Sequence, residues 1–154
     1  MMINRALVKI LLPLVRSWCE EQEQVILRDG VALTPAQLTD ARTIGVASPE
    51  KVRLLKVAEV PTPTNPLVVA AIRRVQTEYA VTKGLTLRYG IFIRADCWGE
   101  RDLVFHELVH TLQYERMGGF REFLHQYLYE CLSVGYPAAP LEQEAIITTA
   151  RRCR

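Results

Sequence analysis

Arg101-Asp102-Leu103-Val104-Phe105-His106-Glu107-Leu108-Val109-His110-Thr111-Leu112-Gln113-Tyr114-Glu115-Arg116-Met117, followed by Gly118-Gly119, is the stretch that decides how this chain is read. Its apolar residues recur three and four apart, no proline interrupts them, and two glycines close the run. This pattern predicts a helix over residues 100–117. With about 100° of turn per residue, and His106 set at 0°, His110 falls at about 40°, Gln113 at about 340° and Met117 at about 20°. Val104, Phe105, Leu108, Val109 and Leu112 fall between about 160° and 300°. The expectation is a helix buried along its apolar stripe, with a polar face that carries both histidines.

His106-Glu107-Leu108-Val109-His110 matches the pattern H-E-x-x-H. The spacing stacks two imidazoles one turn apart, where both can bind one ion. Zinc suits such a pair. Glu107 is displaced by about 100°, outside the first ligand shell and within reach of a water on the metal. It is the candidate general base, because zinc lowers the pKa of that water toward neutrality and a carboxylate can take the proton. Two of the three histidines in the chain fall in this motif. The competing reading is a helix with two ordinary histidines, one of them hydrogen-bonded to Glu107.

Catalytic zinc commonly takes three protein ligands, so a third is expected downstream. On the last helix, Leu141, Glu144, Ala145 and Thr148 cluster within about 100°, and Glu144 shares that face with small residues. Glu144 is therefore the first choice. Glu142 takes its place if the helix is rotated, and Glu130 is a further alternative. His125 lies opposite the apolar stripe of its own helix and is expected to be exposed. Tyr136, in the loop before the last helix, is a candidate donor to an oxyanion, and Tyr114 is a second.

The remaining elements frame this site. Residues 3–27 read as an amphipathic helix bent at Pro13, with a membrane-surface helix as the alternative. Thr34-Pro35 opens a second helix that stops at Gly45. Residues 51–60 read as a strand. The run Pro61-Thr62-Pro63-Thr64-Asn65-Pro66 is a loop that separates residues 1–60 from residues 67–154 within a single domain, 1–154. Residues 67–79 form a helix. Leu85, Leu87 and Tyr89, then Ile91 and Ile93 after Gly90, form a bent strand or a tight hairpin. Two more helices follow, over 120–132 and 141–152. The fold class is α+β, mostly helical, with a small sheet beside the motif helix.

Composition narrows the function. The 154 residues are 49% hydrophobic and 23% charged, as in a globular chain, and a net charge of +2 is too weak to argue for nucleic acid or an anionic membrane, so no nucleic-acid partner is expected. The apolar run 6–15 is broken by Lys9 and Pro13, lacks a small-x-small cleavage site, and is too short to span a bilayer. The basic run Arg151-Arg152-Cys153-Arg154 reads as a solvated tail. Cys19, Cys97, Cys131 and Cys153 form no CxxC pair, which suggests free thiols in a reducing cytoplasm. Cys97, nine residues before His106, reads as a small buried residue in preference to a ligand.

The segment His106-Glu-Leu-Val-His-Thr-Leu-Gln113, with Pro140-Leu-Glu-Gln-Glu-Ala145 after it, resembles a family of small bacterial zincin-like metallopeptidases. Among these it is similar to the gluzincin arrangement, in which a glutamate on a later helix completes the zinc site. The resemblance covers residues 85–150. It implies a zincin-like fold and favours Glu144, since the ligand glutamate there is commonly followed by Ala or Gly. It also implies that strand 85–94 borders the cleft and binds a peptide substrate in extended form. Gln143 stands where gluzincins have Asn, and Thr148 where they have Asp, so no hydrogen-bond partner for the far nitrogen of a histidine is assigned. The implied activity is that of a minimal zinc-dependent peptidase. The alternatives are a zincin-like metal-binding protein without catalysis, serving interaction or regulation, and a helical domain without metal.

Overall fold

The computed structural model of the chain describes residues 2–76 and 82–152. Among these residues, six helices and a four-stranded mixed sheet make an α+β fold. The helices are α1 (Met2–Asp29), α2 (Pro35–Ile44), α3 (Pro66–Val75), α4 (Arg101–Met117), α5 (Phe120–Val134) and α6 (Pro140–Arg152). The strands are β1 (Val31–Ala32), β2 (Arg53–Val57), β3 (Gly84–Leu87) and β4 (Gly90–Arg94), in spatial order β1-β2-β4-β3. The central pair β2–β4 is parallel, and both outer pairs are antiparallel.

Local chemistry accounts for the ends of these elements. Thr34 caps α2 through a capping box with Gln37, and Gly45 closes it in the left-handed region at φ 106°. Gly118 does the same for α4 at φ 99°. The stretch 85–94 is a hairpin, with Arg88-Tyr89 as its turn and Leu87 paired to Gly90. Arg88 sits at φ 60°, unusual for a residue with a side chain. Its guanidinium binds the buried Glu23 of α1 through two hydrogen bonds of 2.7 and 2.9 Å, and Glu23 also accepts from the Tyr89 N–H. The turn is thereby fastened to the first helix.

Strand β4 is buried on both faces. Phe92 enters a core with Ile26, Tyr114, Phe123 and Leu141, whereas Ile91 and Ile93 enter a second with Leu54, Val104 and Leu108. Helix α4 lies between α2, α5, α6 and β3. Val104, Phe105, Leu108 and Val109 are buried as the helical phase requires, and Leu112 is half-buried. The expected open polar face is not open: Glu107, His110, Thr111, Gln113 and Tyr114 are buried too. The hairpin of β3 and β4 covers Glu107 and Thr111, and α5 and α6 cover the histidine side of the helix.

Several boundaries differ from the sequence expectation. Helix α1 runs through Pro13 to Asp29. The strand expected over 51–60 is confined to Arg53–Val57, preceded by a turn of 3-10 helix at Pro49–Lys51. The short β1 has no sequence signal of its own and owes its place to pairing with β2. Helix α3 ends at Val75; the expected extension to residue 79 lies partly outside the described residues, as do Cys153 and Arg154 of the basic tail. Cys19, Cys97 and Cys131 are buried free thiols. Among the described residues, no helix is long and apolar enough to cross a membrane.

Gly30 shows how closely α1 approaches the sheet. A Cβ there would lie 2.6 Å from the Ile26 carbonyl oxygen and 2.9 Å from that of Leu54. Backbone oxygens cannot swing aside as a side chain can. Gly30→Ala is expected to lower stability by about 1–3 kcal/mol, read as a lower denaturant midpoint. An unchanged midpoint would refute this packing.

Candidate metal centre

The site begins with two residues on one face of α4. The His106 and His110 rings are 5.0 Å apart between centroids and inclined at 78°. Their Nε2 atoms meet a single carboxylate, that of Glu142. His106 Nε2 is 2.9 Å from Oε1, and His110 Nε2 is 3.2 Å from Oε2. One ligand atom from each of the three residues lies within 4.8 Å of the others, and such a group could hold a metal ion.

The third member is thus Glu142, not Glu144. The reason is the rotation of α6. Leu141, Glu142 and Ala145 are its buried residues, and Ile146 and Ile147 are exposed. Leu141 enters the core with Tyr114 and Phe123, while Ala145 packs on Phe105 and Val109. The inward face is therefore centred between Leu141 and Glu142, and Glu144 falls on its flank. There Glu144 makes two hydrogen bonds with Arg116, at 2.8 and 2.9 Å. Those bonds hold its carboxyl below the usual range.

Glu130 does not belong to this group either, but it shapes the site. Its Oε2 accepts from the Leu141 N–H at 2.9 Å, and its Oε1 accepts from Gln126. A helix leaves its first N–H groups without intrahelical partners, and a carboxylate at that end satisfies both a hydrogen bond and the helix dipole. Glu130 therefore fixes the first turn of α6, the turn that carries Glu142. His125 is exposed, as its position opposite the apolar stripe of α5 implies. Cys97 is buried beside Arg94 and Asp96 and does not belong to the ligand group.

Glu107 is buried against β3. Its Oε2 accepts from the Thr86 hydroxyl at 2.6 Å. A Cβ on Gly84 would stand 2.9 Å from its other oxygen, so glycine leaves room for the carboxylate. Glu107 does not join the three-residue group. Tyr136 is half-buried and donates to Glu142 Oε1 over 3.4 Å. Burial, and then the Glu142 charge, push its phenol up. Tyr114, the other candidate tyrosine, is fully buried and stacked on Phe123 at 3.8 Å, where it serves packing.

The sequence alone assigns no partner to the histidines. The structure supplies Gln113, whose Oε1 lies 2.8 Å from His110 Nδ1. Its position at about 340°, on the same helical face as the two histidines and Met117, is the signal that points to it. Comparison with family models, with curated proteins and with solved structures finds no match to this chain.

Burial by itself raises the Glu142 carboxyl, but hydrogen bonds and charge from His106 and His110 outweigh it and hold the group at about 2. Burial lowers His110, and the hydrogen bond to Glu142 with the nearby Glu107 charge reverses this, so the imidazole stands above its ordinary 6.5. In the metal-free protein the depressed carboxyl contributes stability above its ordinary 4.5, lost as pH falls toward about 2. The raised imidazole contributes below 6.5, lost as pH rises through its folded value. The difference in melting temperature between metal-free wild type and Glu142→Gln is expected to peak between pH 4.5 and 6.5. A difference that grows steadily up to about pH 9 would contradict this pairing. Glu130→Ala should separately destabilise the protein by about 1–2 kcal/mol, and a thermal melt identical to wild type would deny it the capping role.

Proposed function

We propose that this chain is a zinc-dependent hydrolase, a minimal metallopeptidase of gluzincin type, with His106, His110 and Glu142 as zinc ligands and Glu107 as general base. The observation that carries the reading is the convergence of both Nε2 atoms on one carboxylate, with Glu107 beside them but outside the group. Two imidazoles and a carboxylate are a donor set used by catalytic zinc, which leaves a fourth position for water. Bonds of about 2.0–2.1 Å at tetrahedral angles put neighbouring ligand atoms about 3.3 Å apart. In the metal-free chain the two Nε2 atoms contact the two different oxygens of Glu142, at 2.9 and 3.2 Å, and one ligand atom from each residue lies within 4.8 Å of the others.

A zinc ion there would polarise a carbonyl and make its water acidic near neutral pH. The chain's own residues supply the rest. Glu107 accepts the proton of the attacking water and returns it to the leaving amine. The Thr86 hydroxyl holds the Glu107 carboxylate in place. Tyr136 reaches the ligand carboxylate and is the nearest candidate for a donor to the developing oxyanion. Among the described residues, strand β3 pairs with β4 on one side only, so its other edge suits a peptide substrate in extended form. The unpaired thiols suit a reducing compartment such as the cytoplasm.

One observation favours a second reading, a metal-binding protein without peptidase activity. His106 has 18% of its side chain exposed, and His110, Glu142 and Glu107 are buried, so the site is closely covered.

The experiment is zinc content and cleavage of a broad peptide library across four variants. Glu142→Gln and His106→Ala should lose zinc, whereas Glu144→Gln should keep it. Glu107→Gln should keep zinc and lose about 10²–10⁴-fold in hydrolysis. Zinc lost from Glu144→Gln and retained in Glu142→Gln would overturn the ligand assignment. Full activity of Glu107→Gln would remove that residue from the mechanism. Wild type that binds zinc and cleaves nothing would select the second reading.

A further inference from the structure

We infer that Gln113 is a positioning residue of the metal centre, setting the tautomer of His110 and tying it to the helix that carries Glu142. The inference rests on the metal-site reading above. It starts from the Leu141 carbonyl, which can only accept. Gln113 Nε2 lies 2.9 Å from that oxygen in a buried setting. Only the amide NH₂ can donate there, so the orientation of the side chain is settled by its partner. The carbonyl end, Oε1, must then face His110 Nδ1, at 2.8 Å. An amide oxygen can only accept, so Nδ1 carries the hydrogen. Nε2 is the nitrogen left over: it donates to Glu142 in the metal-free imidazolium, and would turn its lone pair to an ion once that proton is lost.

A single amide thus joins two of the three ligands. It fixes which nitrogen of His110 is presented, and it holds the carbonyl of the residue just before Glu142. Gln113 is wholly buried, so its bonds do not compete with bulk water. The other half of the same residue is held independently, because the Leu141 N–H donates to Glu130. Leu141 is gripped at both polar atoms, and Glu142 leaves it with little freedom. Gln113 Nε2 also lies 3.4 Å from Glu144 Oε2, a longer contact that adds to the same orientation. A ligand histidine normally gives its second nitrogen to such an acceptor, and the loss of the acceptor weakens metal binding.

The test compares wild type, Gln113→Leu and Gln113→Glu by zinc affinity, in competition with a chromophoric chelator. Leucine keeps the bulk and removes both hydrogen bonds. Glutamate keeps an acceptor for the Nδ1 hydrogen. Gln113→Leu is expected to bind zinc about 10–100-fold more weakly, and Gln113→Glu, which keeps the acceptor for His110 but loses the donor to Leu141, to fall between it and wild type. A second measurement needs no variant: in the zinc-loaded wild type, nitrogen NMR of His110 should show zinc on Nε2 and hydrogen on Nδ1. Wild-type affinity in Gln113→Leu, equal weakening in both variants, or zinc on Nδ1 would each overturn the inference while leaving the metal site in place. Failure of the wild type to take up zinc would overturn the metal-site reading and this inference together.

Discussion

A buried polar group must find a partner, and α4 carries five buried polar side chains. These reach several different parts of the chain. Glu107 takes the hydroxyl of Thr86 on β3. Thr111 donates to the Arg88 carbonyl in the hairpin turn. Tyr114 contacts the Thr86 carbonyl. His110 takes Gln113 and Glu142, and Gln113 takes the Leu141 carbonyl of α6. An unsatisfied group of this kind costs about 1–3 kcal/mol. The requirement that none be left open therefore places the hairpin on one flank of α4 and α6 on another. The metal-capable group is a product of that placement.

The same requirement gives the site its rigidity. Leu141 is fixed at its N–H by Glu130 and at its C=O by Gln113. The hairpin turn is held from the opposite side by Glu23, so β3 cannot drift from α1 without leaving a buried charge unpaired. Glu107 then rests against a strand that is itself anchored. Glu142 and Glu107 are both set by packing already present.

Much of this is legible in the sequence, and what is not legible has a common physical cause. The motif helix, its phase and the meeting of His106 with His110 follow from a 3.6-residue period and a long apolar stripe. The hairpin shows in the alternation around Gly90. The place of Glu142 beside the histidines is hidden because α6 is short and only weakly amphipathic: Leu141 and Ala145 alone fit either rotation. Its true facing is decided by Glu130 and Gln113, which belong to other helices. Burial of the polar face of α4 is equally invisible locally, since the cover comes from the hairpin, α5 and α6. The short β1 exists only through its partner β2. Pairings distant in the chain decide each of these cases, and residue periodicity does not encode them.

The central claim is that His106, His110 and Glu142 hold one metal ion, with Glu107 next to it and outside its coordination. Crystals of the zinc-loaded protein, measured on both sides of the zinc absorption edge, test this most directly. The account predicts one anomalous peak per chain, bonded to His106 Nε2, His110 Nε2 and a Glu142 oxygen at about 2.0–2.2 Å. A peak ligated by Glu144, Glu130 or Glu107, or no peak near the two histidines, would contradict it.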